Sequence, residues 1–461
     1  MEMKNSNDTA NTLLTGNVFK TMLSLSIPAI LGMVVIGLYN FMDAVFVGQM
    51  VTSQAMTAVK VSYPFTLINS GIATLIGTGS ASVLSRAIGK KDQNTINKIM
   101  GNLMGVVLLL SIIVMVLGIA FAPQLLTLSG ATDEILSEAT RYLRLVYCGS
   151  LFVNFSQSAN MVMRGEGKLK VAMTIMGAGA ILNIVLDPIL ITVMGKENGV
   201  LGAALATVIA QFCQATYTLW YFRKKSDNVK LGRIGIDKTV LGPVLSVGVS
   251  AMLMQVMSMV QQTVMYNTAA KWGGGEWQTI LGASLSLQAF SFIPLWGIAQ
   301  GFQPAVGTNY GAKQFDRVRK FTKVFMIAAT VLALVFYLPI MFAPGAMLSM
   351  FIKETAISTQ GASMLRVLFI SYISYGVMIL AITFFQAIGK GGAAAAITLL
   401  RQLVLFVPLV VILPRFFARN VDGVFYAQLV TDSIVLVASL ILMAKEFAGI
   451  RKEEKELSKA A

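Results

Sequence analysis

Twelve apolar runs dominate the sequence, near residues 18–48, 53–85, 96–122, 136–162, 168–194, 199–222, 239–269, 279–307, 321–343, 358–387, 393–414 and 422–445. Each approaches or exceeds the roughly 20 residues that a helix needs to cross a hydrocarbon core. Backbone N–H and C=O groups find no water inside a bilayer, so such runs satisfy themselves as helices. The expectation is an all-α polytopic membrane protein with twelve transmembrane helices. Hydrophobic residues make up 56% of the chain and charged ones 12%, about half the charged share of a soluble domain. The polar opening from Met1 to Gly16 leads directly into the first run without a cleavable signal pattern, so no segment is expected to be removed. Prolines inside the runs, at Pro28, Pro64, Pro188, Pro294, Pro304 and Pro408, predict kinks or tilt.

The formal charge of +15 could suggest nucleic acid, but the basic residues cluster in alternate connections. Arg86, Lys90, Lys91 and Lys98 form one group; Arg164, Lys168 and Lys170 another. Arg223 to Arg233, Lys313 to Lys320 and the tail from Lys445 supply the rest. Positive loops face the cytoplasm, so topology accounts for the charge and no nucleic-acid partner is expected. An even number of spans with a basic tail predicts a cell-membrane protein with both termini cytoplasmic.

The chain also repeats itself. Gly89 and Lys91 recur as Gly311 and Lys313, Leu143-Arg144 as Leu365-Arg366, and Gly167-Lys168 as Gly389-Lys390, always 222 residues on. One offset at three landmarks predicts two six-helix lobes. Six is even, so the lobes share an orientation and are related by an axis along the membrane normal, with substrate between them near the midplane. The expected division is a cytoplasmic N-terminus at 1–17, a first lobe at 18–222, a cytoplasmic connection at 223–238, a second lobe at 239–445 and a cytoplasmic tail at 446–461.

Three acids, Asp43, Asp187 and Asp432, lie well inside apolar runs. A carboxylate at that depth costs about 2.5–3.5 kcal/mol or more and is rarely kept without a task. Asn183 and Asp187 are four apart and share a helix face. Pro188 cannot donate to the Ile184 carbonyl, so acid, amide and backbone oxygen converge within one turn. Such a set suits a hard cation such as Na⁺, or a proton; the alternative is a kinked core helix whose acid pairs with a buried base. Asn40 and Asp43 repeat the grouping in the first span, and at about 1.5 Å per residue Asp43 and Asp187 both sit roughly 10 Å below the outer surface. Lys60 lies near that depth one span along, either as their counter-ion or snorkelling outward.

The second half does not copy the acids, since Asn40 falls on Gln262, Asp43 on Met265 and Asp187 on Leu409. Ion coupling is therefore expected in the first half. Asp432 is read with Arg401 as an ion pair between two helices, with a substrate role as the alternative. Arg144 and Arg366 hold matching places and predict a shared structural duty. The seventh span is rich in methionine, Met257 among them, and Gln255, Gln261, Gln262 and Gln288 are amides in apolar spans that need partners or a wet cavity. A Met-lined substrate wall or ordinary packing fits these residues. With no histidine and only Cys148 and Cys213, the chain offers no metal cluster or nucleophile–base set, so no enzyme activity, cofactor or metal is expected beyond a possible Na⁺.

Pro28, Leu38-Tyr39-Asn40-Phe41-Met42-Asp43, Val47-Gly48, Asn183 to Pro188, and Gly202-Ala203-Ala204-Leu205-Ala206-Thr207 together resemble the multidrug and toxic compound extrusion (MATE) exporters, and most closely the bacterial MepA-type branch. The resemblance spans essentially the whole chain and rests on the order and spacing of these stretches. It implies a V-shaped pair of six-helix lobes exporting lipophilic, often cationic compounds in exchange for Na⁺ or H⁺. By position it places Asp43, Asn183 and Asp187 in a first-lobe cation site with Thr207 beside it. The second-lobe acids of another branch have no counterpart here. The expected function is a monomeric antiporter with small-molecule substrates; a flippase for lipid-linked precursors, which would favour a cationic cavity, is the alternative.

Overall fold

The computed structural model describes the backbone of residues 6–460 except 51–52, 129–130, 132, 227 and 353; side chains at 6–9, 39–49, 53–57, 60, 128, 133–134, 196–197, 355, 457–458 and 460 also lie outside the described residues. The elements are helical. In order they are α1 (Ser6–Thr15), α2 (Val18–Met50), α3 (Ser53–Lys90), α4 (Gln93–Leu128), α5 (Asp133–Cys148), α6 (Ser150–Gly165) and α7 (Leu169–Trp220). There follow α8 (Lys238–Gly311), α9 (Phe315–Phe342), α10 (Pro344–Ser349), α11 (Thr355–Ile370), α12 (Tyr372–Ala387), α13 (Gly391–Leu399), α14 (Phe406–Ile412) and α15 (Asp422–Ala460).

Ten stretches among the described residues are long and apolar enough to cross a membrane. One of them, α8, is of double length and is broken at Gly274 (φ 72°); α5 and α6 in series make the remaining span. The result is an all-α, multi-pass membrane protein with the twelve spans expected. Several helices run beyond the apolar stretches, as α3 does to Lys90. The connections near 195 and 274 are far shorter than the sequence suggested, because a single glycine does the turning. Gly195 (φ 73°) separates the two spans merged in α7, and left-handed backbone of this kind costs glycine no Cβ clash.

The repeat is reproduced hydrogen bond for hydrogen bond. Lys91 and Lys313 both take a left-handed φ of 58°, and Gly167 and Gly389 take φ of 84° and 85°. Asp92 N–H donates to the Ala87 carbonyl and Gln314 N–H to the Asn309 carbonyl, each at 2.9 Å. Arg144 Nε donates to the Ile119 carbonyl at 3.2 Å and Arg366 Nε to the Met341 carbonyl at 3.0 Å. Each arginine therefore ties its span to the preceding one at the same place in its half.

The chain forms two compact units. One comprises Met1–Thr12 and Leu31–Gly248, the other Leu13–Ile30 and Val249–Ala461. The core of the first joins Ile76 and Leu84 of α3, Ile99 and Leu103 of α4 and Val162 of α6 to Phe222 and Val229 of the basic connection and Val240 and Val244 of α8. That connection is held to the unit, with Asp237 N–H donating to Asn102 Oδ1 at 3.0 Å and Lys98 reaching the Asp237 carboxylate at 2.9 Å. The Thr239 hydroxyl, and then Lys98, pull the Asp237 carboxyl down to about 2. In the second unit Phe302, Phe321, Phe325 and Phe384 are fully buried. Arg317 Nη2 donates to the carbonyls of Leu13 and Gly16, both at 2.9 Å, closing the C-terminal end of α1.

Close backbone approach fixes the opening turns of α8. A Cβ at Gly248 would overlap the Leu75 carbonyl of α3, and one at Gly79 would overlap the Val244 carbonyl. Gly248→Ala is expected to cost about 1–3 kcal/mol through overpacking. Thermal unfolding of the detergent-solubilised protein checks this; an unchanged melting temperature would mean the two helices part without loss.

Candidate functional site

In the first unit, Asn183 and Asp187 lie one turn apart on the first half of α7, and Thr207 lies on its second half, after the Gly195 break. Asn183 is 2% exposed and Asp187 is fully buried. An amide satisfies its surroundings in one of two orientations. Here the satisfying one has Asn183 Nδ2 donating to Asp187 Oδ2 at 3.0 Å. Its Oδ1 then accepts from Thr207 N–H at 3.1 Å and from the Thr207 hydroxyl at 3.2 Å. Acid, amide and hydroxyl are thus one chain of contacts across two spans. The helix continues through Pro188, whose own carbonyl accepts from the Thr192 hydroxyl at 2.7 Å.

Asn183 and Thr207 open onto a small pocket of about 100 Å³, room for a few waters at about 30 Å³ each. Its wall also carries Gln157, Asn160, Gln211 and Gln214. The Asn160 side-chain oxygen is buried without a hydrogen-bond partner, and such a group is normally met by a water or a ligand donor. These amides were not singled out in the sequence; their place in apolar runs was the available signal. The side chains of Asn40, Asp43 and Lys60 lie outside the described residues, so what they face is not part of this geometry.

The second unit holds a larger cavity of about 450 Å³, which Gln255, Gln261, Gln262 and Gln288 all line. Met257 is not among the lining residues; Met254, Met265 and Met378 are. Arg401 is on the wall too. Its Nε donates to Asp432 Oδ1 at 2.8 Å, and Ser371 Oγ donates to Asp432 Oδ2 at 3.0 Å. The guanidinium lies 5.0 Å over the Tyr375 ring, within cation–π range. The Tyr375 hydroxyl accepts from Gln288 Nε2 at 3.1 Å and from Gln428 Nε2. Arg401 and Gln402 stand in a π-helical segment, 400–405, between α13 and α14; such bulges often mark functional sites. Tyr375 and Gln428 escaped the sequence reading because a tyrosine in an apolar helix looks like packing.

The MatE family model matches residues 28–189 and 249–412. The chain belongs to the MatE family. "Multidrug export protein MepA" of Staphylococcus aureus (strain MRSA252) is 26% identical over 430 residues, covering 92% of this chain and 93% of that protein. The same-named protein of Staphylococcus saprophyticus is 26% identical over 433 residues, covering 93% and 94%. An outward-facing multidrug resistance MATE family transporter of the MOP superfamily superposes with a TM-score of 0.89 at 24% identity, over 95% of this chain and 98% of its own. The two matched segments of the MatE model fall one in each half of the repeat, as two copies of a single module require.

Proposed function

We propose that this MATE chain is a multidrug efflux antiporter that exports lipophilic, often cationic compounds from the cytoplasm in exchange for Na⁺ or H⁺. The observation that carries the reading is the fully buried Asp187 carboxylate, bonded through Asn183 to Thr207 across two spans. An acid at membrane depth that opens onto a polar pocket is the arrangement an ion pathway needs. Asp43, with Asn40, completes the cation site from the first span. The coupling ion enters from outside, and the substrate occupies the glutamine-lined second-unit cavity from the cytoplasmic side. Exchange needs only that ion and substrate prefer different states of the protein. The protein acts as a monomer in the cell membrane with both termini cytoplasmic, and needs no cofactor.

The test is substrate efflux from proteoliposomes under an imposed Na⁺ gradient and, separately, a pH gradient. Efflux driven by either gradient supports exchange and names the ion. Efflux indifferent to both would remove the coupling.

A further inference from the structure

The charge on the wall of the second-unit cavity is of the opposite sign to that expected for a site built for cations. Arg401 is its charged lining residue among those described. Asp432, 1% exposed, is not part of the wall. One of its carboxylate oxygens is held by Arg401 Nε and the other by Ser371 Oγ. A cationic ligand could reach this acid only by pulling Arg401 away, leaving two buried charges to re-pair. An anion meets no such obstacle. Arginine carries five N–H donors, and the bond to Asp432 uses Nε, so both terminal nitrogens lie outside that bond.

Two acceptors stand nearby. Gln402 is 5% and Gln428 2% exposed, and the side-chain oxygen of each is buried without a hydrogen-bond partner. Gln428 has its Nε2 on Tyr375, which leaves its oxygen as an acceptor for something that carries an N–H or O–H. Phe292 and Trp296 supply flat apolar surface on the same wall. At about 450 Å³ the cavity falls in the usual range of about 300–1,000 Å³ for drug-sized ligands.

We propose that this cavity binds aromatic carboxylates that also carry an N–H donor, with the carboxylate on Arg401, the N–H on the side-chain oxygens of Gln402 and Gln428, and the ring against Phe292 and Trp296. Only the step from binding to export rests on the antiporter reading. Binding is a property of the cavity at equilibrium.

The probe is dansylglycine, which has a naphthalene ring, a sulfonamide N–H and a carboxylate. Its methyl ester keeps all but the charge, and dansylcadaverine exchanges the carboxylate for an amine. Each is titrated by fluorescence into the purified full chain, with no ion gradient. Dansylglycine is expected to bind at least tenfold more tightly than either, with energy transfer from tryptophan that falls in Trp296→Phe. In the double variant Arg401→Gln/Asp432→Asn, which removes both charges together, the preference for acid over ester is expected to vanish. Arg401→Lys, which keeps the charge, is expected to retain a reduced preference. Equal binding of acid and ester by the wild-type chain overturns the proposal, and so does a preference that survives in the double variant. A chain that fails the gradient assay yet still prefers the acid loses the exchange reading and keeps this one.

Discussion

Replacing Asp187 with asparagine is expected to lower gradient-driven efflux from proteoliposomes by more than tenfold, with the amount of folded protein unchanged. The two side chains have nearly the same shape, and an amide oxygen at this position still accepts from Asn183 Nδ2, which now donates at 3.0 Å. Packing is therefore kept. What disappears is the negative charge, and with it the ability to take up a proton or balance Na⁺. A fully buried carboxylate also carries a desolvation cost that the amide does not, so the variant should melt at the same temperature or higher. Loss of transport without loss of stability would separate a coupling role from a structural one. Unchanged efflux would remove Asp187 from the coupling and leave Asp43 as the first-half acid to test.

The second large effect concerns Arg401 and Asp432. Arg401→Met alone is expected to destabilise the protein by about 3–5 kcal/mol, because it leaves an uncompensated buried charge. Asp432 is 1% exposed on its side chain and Arg401 19%, and the Ser371 hydroxyl cannot replace a full positive charge. Removing both, in Arg401→Met/Asp432→Leu, is expected to recover most of the loss, since buried pairs often exchange with apolar residues at little cost. Thermal unfolding in detergent of the wild type, both single variants and the double variant gives the coupling energy directly. Additive losses would mean that the two groups do not depend on each other in the folded state.

Much of the architecture is legible in the sequence because a bilayer admits so few solutions. Twelve apolar runs and a constant 222-residue offset lead to the spans and the repeat, down to the matching backbone of Lys91 and Lys313. Asn183 and Asp187 are legible as a pair because four residues make one helical turn. The junctions at Gly195 and Gly274 are not, since a one-residue break between two helices leaves no polar loop to read. The wall around Arg401 was hidden for a different reason. It is assembled from α8, α12, the 400–405 segment and α15, and residues that far apart reveal a shared cavity only once the chain is folded.

The exchange of helix openings between the units sets an order of assembly during synthesis. Leu13–Ile30, made first, belongs with Val249–Ala461, made last, and Leu31–Gly248 closes only when the turns after Lys238 have emerged. The first unit can thus complete itself as soon as the ribosome has passed Gly248. The beginning of α2 must wait in the membrane for the entire remainder of the chain. A break in the connection between 226 and 237 would leave each fragment holding a piece that the other needs, so the halves must be made together to fold.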